Sequence, residues 1–359
     1  MPAGAHPPVG ICIMGCGQIA RTHARVIARR GGEVRLFFAS RSAEKAEDYR
    51  GRFRGEAAFG SYEEALADPR VGAAVICTPH DLHVEHARLA AAHGVHVLME
   101  KPIGRTLEEA DEIIRAVREA KPKAGGRCVL MVAENFRFKP SVRKARRLIQ
   151  SGVVGRVKCV RVKVAALARH EGWRTEASRM GGGALVDGGI HWVDTLLYWA
   201  GPPKRVYAVQ GPKTRDNVPV EDTVHVLAEH EGGVVSELTH SWGIPSPGRV
   251  QFSSISGTEG TLYVENHGYF LCLTGARRRF FFSPLRDWAG FGMHAEFLRA
   301  VRRRVSDSPP PPPSPSPLPH DGPDADDSEP EMSGAEGRRS LAFVLAAYRS
   351  IREGRAVVP

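Results

Sequence analysis

Gly10–Ala20 reads GICIMGCGQIA, and the fold turns on this stretch. An apolar run ends in Gly15, Cys16, Gly17, Gln18, Ile19 and Ala20, a G-x-G-x-x-A loop. A helical pattern, QIARTHARVIARR (18–30), starts at once. Gly15 suits a tight turn, and Gly17 lets the backbone approach an anion. The small Ala20 lets helix and strand pack closely, while the helix N-terminus offers N–H donors to a pyrophosphate. Alone the loop is a weak signal. Its place at the first strand of a series makes it a specific one.

Working outward, EVRLFFAS (33–40) leads into SAEKAEDYRGRF (42–53). VGAAVICTP (71–79) precedes DLHVEHARLAAAHG (81–94). VHVLMEKP (95–102) precedes TLEEADEIIRAVREAKP (106–122), and CVLMVAENF (128–136) follows. Short apolar runs alternating with helical periods predict a doubly wound parallel α/β sheet, a Rossmann domain over 1–138. The runs are continuously apolar, as strands covered on both faces must be.

Beyond residue 138 the texture changes. RVKCVRVKVAALA (156–168), RVYAVQG (205–211), DTVHVLAEHEGGVVSELTHSW (222–242) and RVQFSSISGTEGTLYVENHGYFLCL (249–273) read as strands joined by glycine turns. They predict a second α/β domain, 139–359, with a large open, mainly antiparallel sheet. AEFLRAVRRR (295–304) and AEGRRSLAFVLAAYRSIREG (335–354) read as closing helices. Between them, 306–330 is Pro-rich and polar, a composition that favours polyproline II or disorder.

Length and composition bound the function. The chain has 359 residues, enough for two packed domains. It contains no apolar run long enough to span a bilayer, and its start does not read as a secretory signal. Six cysteines without a C-x-x-C pair read as reduced thiols in a cytoplasmic protein, with neither disulfides nor metal expected. The formal charge is +10, but Lys and Arg are scattered along the chain, often beside Glu at helical spacing. That pattern suits solvated faces and predicts neither nucleic acid nor membrane as a partner.

Three places carry chemistry. At the end of the second strand, where an Asp or Glu would hold the ribose hydroxyls of NAD, the chain has Ser40 and Arg41. A hydroxyl and a guanidinium suit a 2′-phosphate, so NADP is favoured over NAD. Glu100-Lys101-Pro102 closes the fifth strand, at the carboxyl edge where ligands of such sheets bind. Pro102 allows a cis bond there. Lastly, GGGALVDGGIHWVDTLLYWAG (181–201) packs glycines before Asp187, His191 and Asp194. In a helix entered near Asp187 these three form one polar stripe, with Ile190, Val193 and Leu197 on an adjacent core-facing stripe. The glycines at 181–183 are expected to let the backbone lie against a ligand. His191 suits proton transfer near neutral pH, with Asp187 as the carboxylate that orients it. Trp173 and Arg174 in HEGWRT, and Asn135 and Arg137 in ENFRF, are expected on the substrate side, though an Arg there serves equally as half of a buried structural pair.

With these motifs in hand, the chain resembles the glucose-fructose oxidoreductase / inositol dehydrogenase (Gfo/Idh/MocA) family. The resemblance spans nearly the whole chain. It is carried by GCGQIARTHA, CTPHDLHVEHARLAAAHGVHVLMEKPIG, ENFRFKPSVRKARRLIQSGVVGRV, the 181–201 stretch, EDTVHVL, SGTEGTLYV and SGAEGRRSLAFVLAAYRSIREGR. It implies hydride transfer between nicotinamide and a sugar, polyol or related cyclic carbinol. It also implies Lys101, Asp187 and His191 as catalytic residues, and Gly15, Gly17, Gln18, Ile19, Ala20, Ser40, Arg41, Thr78, Pro79, His80, Glu100 and Lys101 around the cofactor. A homodimer or homotetramer through the C-terminal sheet follows from the same resemblance. The Pro-rich stretch departs from the family pattern and bears on quaternary contacts. Two rival readings keep the fold: a glycosidase using tightly held NAD, and a dinucleotide-binding sensor without chemistry.

Overall fold

The computed structural model describes residues 7–123, 125–168, 171–214, 220–246, 251–275, 278–282, 290–305 and 329–359. The Pro-rich stretch lies outside the described residues, apart from its last two. The chain divides into two compact units, Met1–Ala133 with Gly290–Arg338, and Glu134–Ala289 with Arg339–Pro359.

The first unit holds β1 (Val9–Met14), β2 (Val34–Ala39), β3 (Ala57–Phe59), β4 (Ala73–Ile76), β5 (His96–Met99) and β6 (Leu130–Val132). They pair in the order β3-β2-β1-β4-β5-β6, every pair parallel. This order reverses at β1/β4, the switch point where dinucleotides bind in such sheets. Between the strands run α1 (Gln18–Ala28), α2 (Ala43–Phe53), α3 (Tyr62–Ala67), α4 (His83–Ala92) and α5 (Leu107–Glu119). The central strands are buried on both faces, from Ile11 to Met14, Ala73 to Ile76 and Val97 to Met99. Each fully buried aliphatic side chain contributes about 1.5–3 kcal/mol.

Helix starts differ in a way that bears on function. Ser42, Ser61 and Thr106 cap α2, α3 and α5, each accepting a backbone N–H three residues on. The start of α1 at Gly17 has no side-chain cap and no acid in its first turn. Its free N–H groups are left for another acceptor.

The second unit opens with α6 (Pro140–Gln150) and β7 (Val157–Ala165). Next come α7 (Ala177–Met180), a π-helical turn (Leu185–Gly189) and α8 (Ile190–Ala200). The remaining strands are β8 (Pro203–Gln210), β9 (Thr223–His230), β10 (Val235–Ser241), β11 (Phe252–Gly257), β12 (Gly260–Glu265), β13 (Phe270–Gly275) and β14 (Arg279–Phe282). Among the described residues they form one sheet, β14-β13-β12-β11-β7-β10-β9-β8, antiparallel except for the β7/β10 pair. In β9, Val224, Val226 and Ala228 face the core while His225 and Leu227 face outward. That period of two is what a sheet covered on one face requires.

The last helices are α9 (Gly290–Val305) and α10 (Gly334–Glu353). The stretch from Gly290 to Arg338 clusters with the first unit, where the sequence reading had attached it to the second. Its ties explain why. His294 of α9 bonds His23 of α1, and Val132 of β6 donates its N–H to Met332. No helix among the described residues is long and apolar enough to cross a membrane.

Candidate active site

In the first unit the glycine loop meets its expected geometry. Gly15 has φ +93°, and a Cβ there would lie 3.2 Å from both the Cys77 carbonyl oxygen and the Thr78 methyl. Gly17 is different: a Cβ there would meet no protein atom within 4 Å. Packing within the protein therefore does not call for that glycine, but a pyrophosphate against the bare start of α1 does. Ile19 follows on α1, and Ala20 is fully buried at the helix–strand contact. Tyr49 donates its hydroxyl to the Gly17 carbonyl, steadying the loop. These features fit a dinucleotide.

At the end of β2, Ser40 is buried and its Oγ accepts the Ser42 N–H at 3.2 Å. Arg41 is exposed and makes no hydrogen bond or ion pair with any described residue. After β4, Thr78 is buried with its hydroxyl on His86 at 2.9 Å, and His80 is buried beside Pro79. After β5, Glu100 is held at 2.7 Å by His23, which bonds His294 at 2.8 Å. The other Glu100 oxygen accepts the Lys101 N–H at 3.1 Å. A buried chain of three side chains thus anchors the backbone at Lys101. The Lys101–Pro102 bond is cis.

In the second unit the glycine-rich stretch is built differently from the sequence reading. A Cβ at Gly182 would sit 2.6 Å from the Tyr348 ring, and one at Gly183 would sit 2.2 Å from the Glu221 carbonyl oxygen. The backbone at Gly182 and Gly183 passes close to the protein itself, against Tyr348 and Glu221. Tyr348 gives its hydroxyl to Glu221 at 2.7 Å and accepts the Gly183 and Val186 N–H groups. The Glu221 carboxylate also accepts the Leu185 N–H. Burial pushes the Glu221 carboxyl and the Tyr348 hydroxyl upward. This network fixes the π-helical turn from which α8 starts.

The expected polar stripe is a second correction. Asp187, on the π-helical turn, accepts from Arg174 at 3.1 Å. His191, in the first turn of α8, places Nδ1 2.5 Å from Glu134. Asp194 is buried and paired through both oxygens with Arg137. The π-helical turn breaks the i, i+4 register, so the three side chains take three separate partners. The carboxylate on His191 is therefore Glu134, not Asp187. The neighbouring apolar stripe holds: Ile190, Val193 and Leu197 are buried.

Of the two readings open for Arg137, the geometry matches the buried structural pair. It is 5% exposed, with its guanidinium on Asp194 and over the Tyr198 ring. A buried, doubly bonded ion pair of this kind is a structural element, since freeing either partner leaves a buried charge. Asn135 is half-buried on the short turn Asn135–Phe138. Trp173 packs on Met180, Ala184 and Trp242, and Arg174 lies over its ring at 4.6 Å. Trp173, Arg174 and Asp187 are thus one cluster.

Sequence reasoning missed two residues here, Glu134 and Phe136. The Phe136 ring stacks on His191 at 4.6 Å and 20°. Behind it, the buried Lys139 Nζ lies 3.3 Å from the Phe136 ring centroid and donates to the Asn266 carbonyl at 2.7 Å. Of the two His191 ring nitrogens, Nε2 makes no hydrogen bond to a described residue, and the side chain is 15% exposed.

Burial pulls the Lys139 ammonium down to about 7, with Glu265 acting in the opposite sense. Unfolded, the group keeps its proton up to its ordinary 10.5. Between those values the unfolded chain binds more protons, so this residue makes stability rise with pH, by up to about 1.4 kcal/mol per unit. The rise begins near pH 7 and ends near 10.5. Urea unfolding of wild type and Lys139→Met at pH 7, 8 and 9 should show the difference growing in favour of wild type. A constant difference would refute the shift.

A parallel sheet in the order β3-β2-β1-β4-β5-β6, with an uncapped glycine loop at its switch point, defines a dinucleotide-binding Rossmann architecture. The chain belongs to the GFO/IDH/MocA family of oxidoreductases. Residues 9–125 match the oxidoreductase family with NAD-binding Rossmann fold, and residues 142–263 match the GFO/IDH/MocA C-terminal domain. A 1,5-anhydro-D-fructose reductase of Ensifer adhaerens is 33% identical over 71% of this chain and 75% of its own length. The mouse trans-1,2-dihydrobenzene-1,2-diol dehydrogenase is 32% identical over 63% of this chain and 65% of its own length. A levoglucosan dehydrogenase in complex with NADH shares the fold, with TM-score 0.81 at 24% identity over 98% of this chain and 99% of that one.

Proposed function

We propose that this oxidoreductase transfers a hydride between NAD(P) and a CH–OH carbon of a sugar, polyol or related cyclic carbinol. The observation that carries the reading is His191: an imidazole gripped at Nδ1 and on one face, with Nε2 unbonded. The Gly15–Ala20 loop and the Ser40-Arg41 end of β2 would hold a nicotinamide dinucleotide, which would supply the hydride acceptor for oxidation and the donor for reduction. His191 exchanges the hydroxyl proton, and Lys101 stabilises negative charge on the carbinol oxygen. Asp187, with Arg174 and Trp173, supports the substrate side. A panel of sugars, inositols and their keto forms, assayed with NADP and with NAD, tests the proposal. Cofactor that stays bound through purification, with no bulk turnover, would favour the glycosidase reading instead.

NADP is the preferred cofactor in this reading. Its support is Arg41, exposed without an ion-pair partner among the described residues, next to Ser40 where an acid would repel a 2′-phosphate. Ser40→Asp should weaken NADP binding and favour NAD. The ratio of the two dissociation constants checks this; an unchanged ratio, or wild-type preference for NAD, rules it out.

We also infer a homo-oligomer built on the outer face of the second unit's sheet. Tyr207, Leu227, Tyr263 and Phe280 lie in one row across that face and are exposed by 41–64%. Between Leu227 and Tyr263 the same row carries Ser254 and the exposed Arg161–Glu237 ion pair, so the face joins two apolar patches across a charged centre, a mixed composition that suits association. A monomeric mass by light scattering would contradict it. The six cysteines are all free, which supports a reducing, cytoplasmic location; cell fractionation tests this.

A further inference from the structure

We propose that Glu134 is the positioning residue of His191: it holds the imidazole with a proton on Nδ1, so that Nε2 is the nitrogen that exchanges the carbinol proton. The proposal rests on the reading of His191 as the proton-transfer group.

Glu134 is enclosed, with its side chain 1% exposed. One oxygen, Oε2, lies 2.5 Å from His191 Nδ1, and the buried Oε1 has no hydrogen-bond partner. The histidine is thus the single donor this carboxylate has among its described neighbours. A buried carboxylate that loses its donor is left uncompensated. A neutral His191 therefore keeps its proton on Nδ1, because the other tautomer would set two lone pairs against each other.

The ring cannot escape by turning over. Phe136 stacks flat on one face at 4.6 Å, and Phe136 is itself fixed by the edge of Trp192 at 4.8 Å and by the Lys139 ammonium. Asp187 is engaged with Arg174. The consequence for the chemistry is specific. In oxidation the substrate O–H bond breaks and its proton passes to Nε2, while Nδ1 keeps its own. The imidazolium so formed lies directly against the Glu134 carboxylate, which compensates its charge. In reduction Nε2 returns the proton to the new alkoxide oxygen.

The test is nitrogen NMR on the full chain labelled with ¹⁵N-histidine, with His191 assigned by its loss in His191→Asn. The expected wild-type spectrum of the neutral ring has a protonated Nδ1 and a bare Nε2. Glu134→Gln should mix or reverse the tautomers and lower kcat by about 10²-fold. KM and dinucleotide affinity should stay within about twofold, and Glu134→Asp should recover part of the loss. A wild-type ring protonated on Nε2 overturns the proposal, and that measurement requires no Glu134 variant to fold. Unchanged kcat in Glu134→Gln, with kcat lost in His191→Asn, overturns the role of Glu134 alone. Full turnover in His191→Asn overturns the reading of His191 itself.

Discussion

His191→Ala is expected to lose about 10²–10⁴ of turnover, the usual worth of a placed proton-transfer group. Dinucleotide affinity should be nearly unchanged, because the glycine loop and Arg41 belong to the other compact unit. The structure adds a complication. Removing the imidazole strips the buried Glu134 of its donor. An unsatisfied buried acceptor costs about 1–3 kcal/mol, more when charged. His191→Ala should therefore also lower the unfolding midpoint. His191→Asn separates the two effects, since its amide N–H can take the place of Nδ1–H while nothing replaces Nε2. Turnover should fall in both variants, and the midpoint should fall clearly only in the alanine. Near-normal turnover in the asparagine variant would leave His191 as nothing more than the partner of a buried acid.

The sequence made the fold legible because its cues are local. The loop at Gly15–Ala20 and the alternating apolar runs each report on neighbouring residues, and the strand–helix alternation points to a parallel, doubly wound sheet. The site was legible by residue and illegible by partner. His191 stands out as the histidine after a glycine-rich stretch, yet the acid it meets is 57 positions away. Within ENFRF, the amide and guanidinium of Asn135 and Arg137 drew the functional reading, and Glu134 was passed over. One cue was present: an acid directly beyond the apolar run that became β6, at the carboxyl edge where sites form. The glycines misled for the same reason. Gly182 and Gly183 are small because of Tyr348 and Glu221, and no spacing rule connects residues that far apart. A one-residue widening of the helix at Leu185–Gly189 then undid the i, i+4, i+7 stripe.

Lys101→Ala should lower kcat and raise KM together, by about 10²–10³ in kcat/KM, the scale seen when a charge-stabilising group is removed. The argument begins with the backbone. Glu100 is clamped by His23, and His23 by His294, so the turn carrying Lys101 is fixed by groups other than its own ammonium. Truncating the side chain should therefore leave the turn in place, since the backbone N–H bond to Glu100 is unchanged. What is lost is a compact cation at the carboxyl edge of β5, where charge on the substrate oxygen would otherwise be compensated. A ground-state contact alone would raise KM and spare kcat; a contact that strengthens as charge develops must lower kcat as well. Lys101→Met, which keeps the stem, should be as slow as the alanine variant. Lys101→Arg should recover little, because a planar fork cannot occupy the position of a point charge. Turnover within about threefold of wild type in Lys101→Met would show that this lysine is a loop residue without a part in the chemistry.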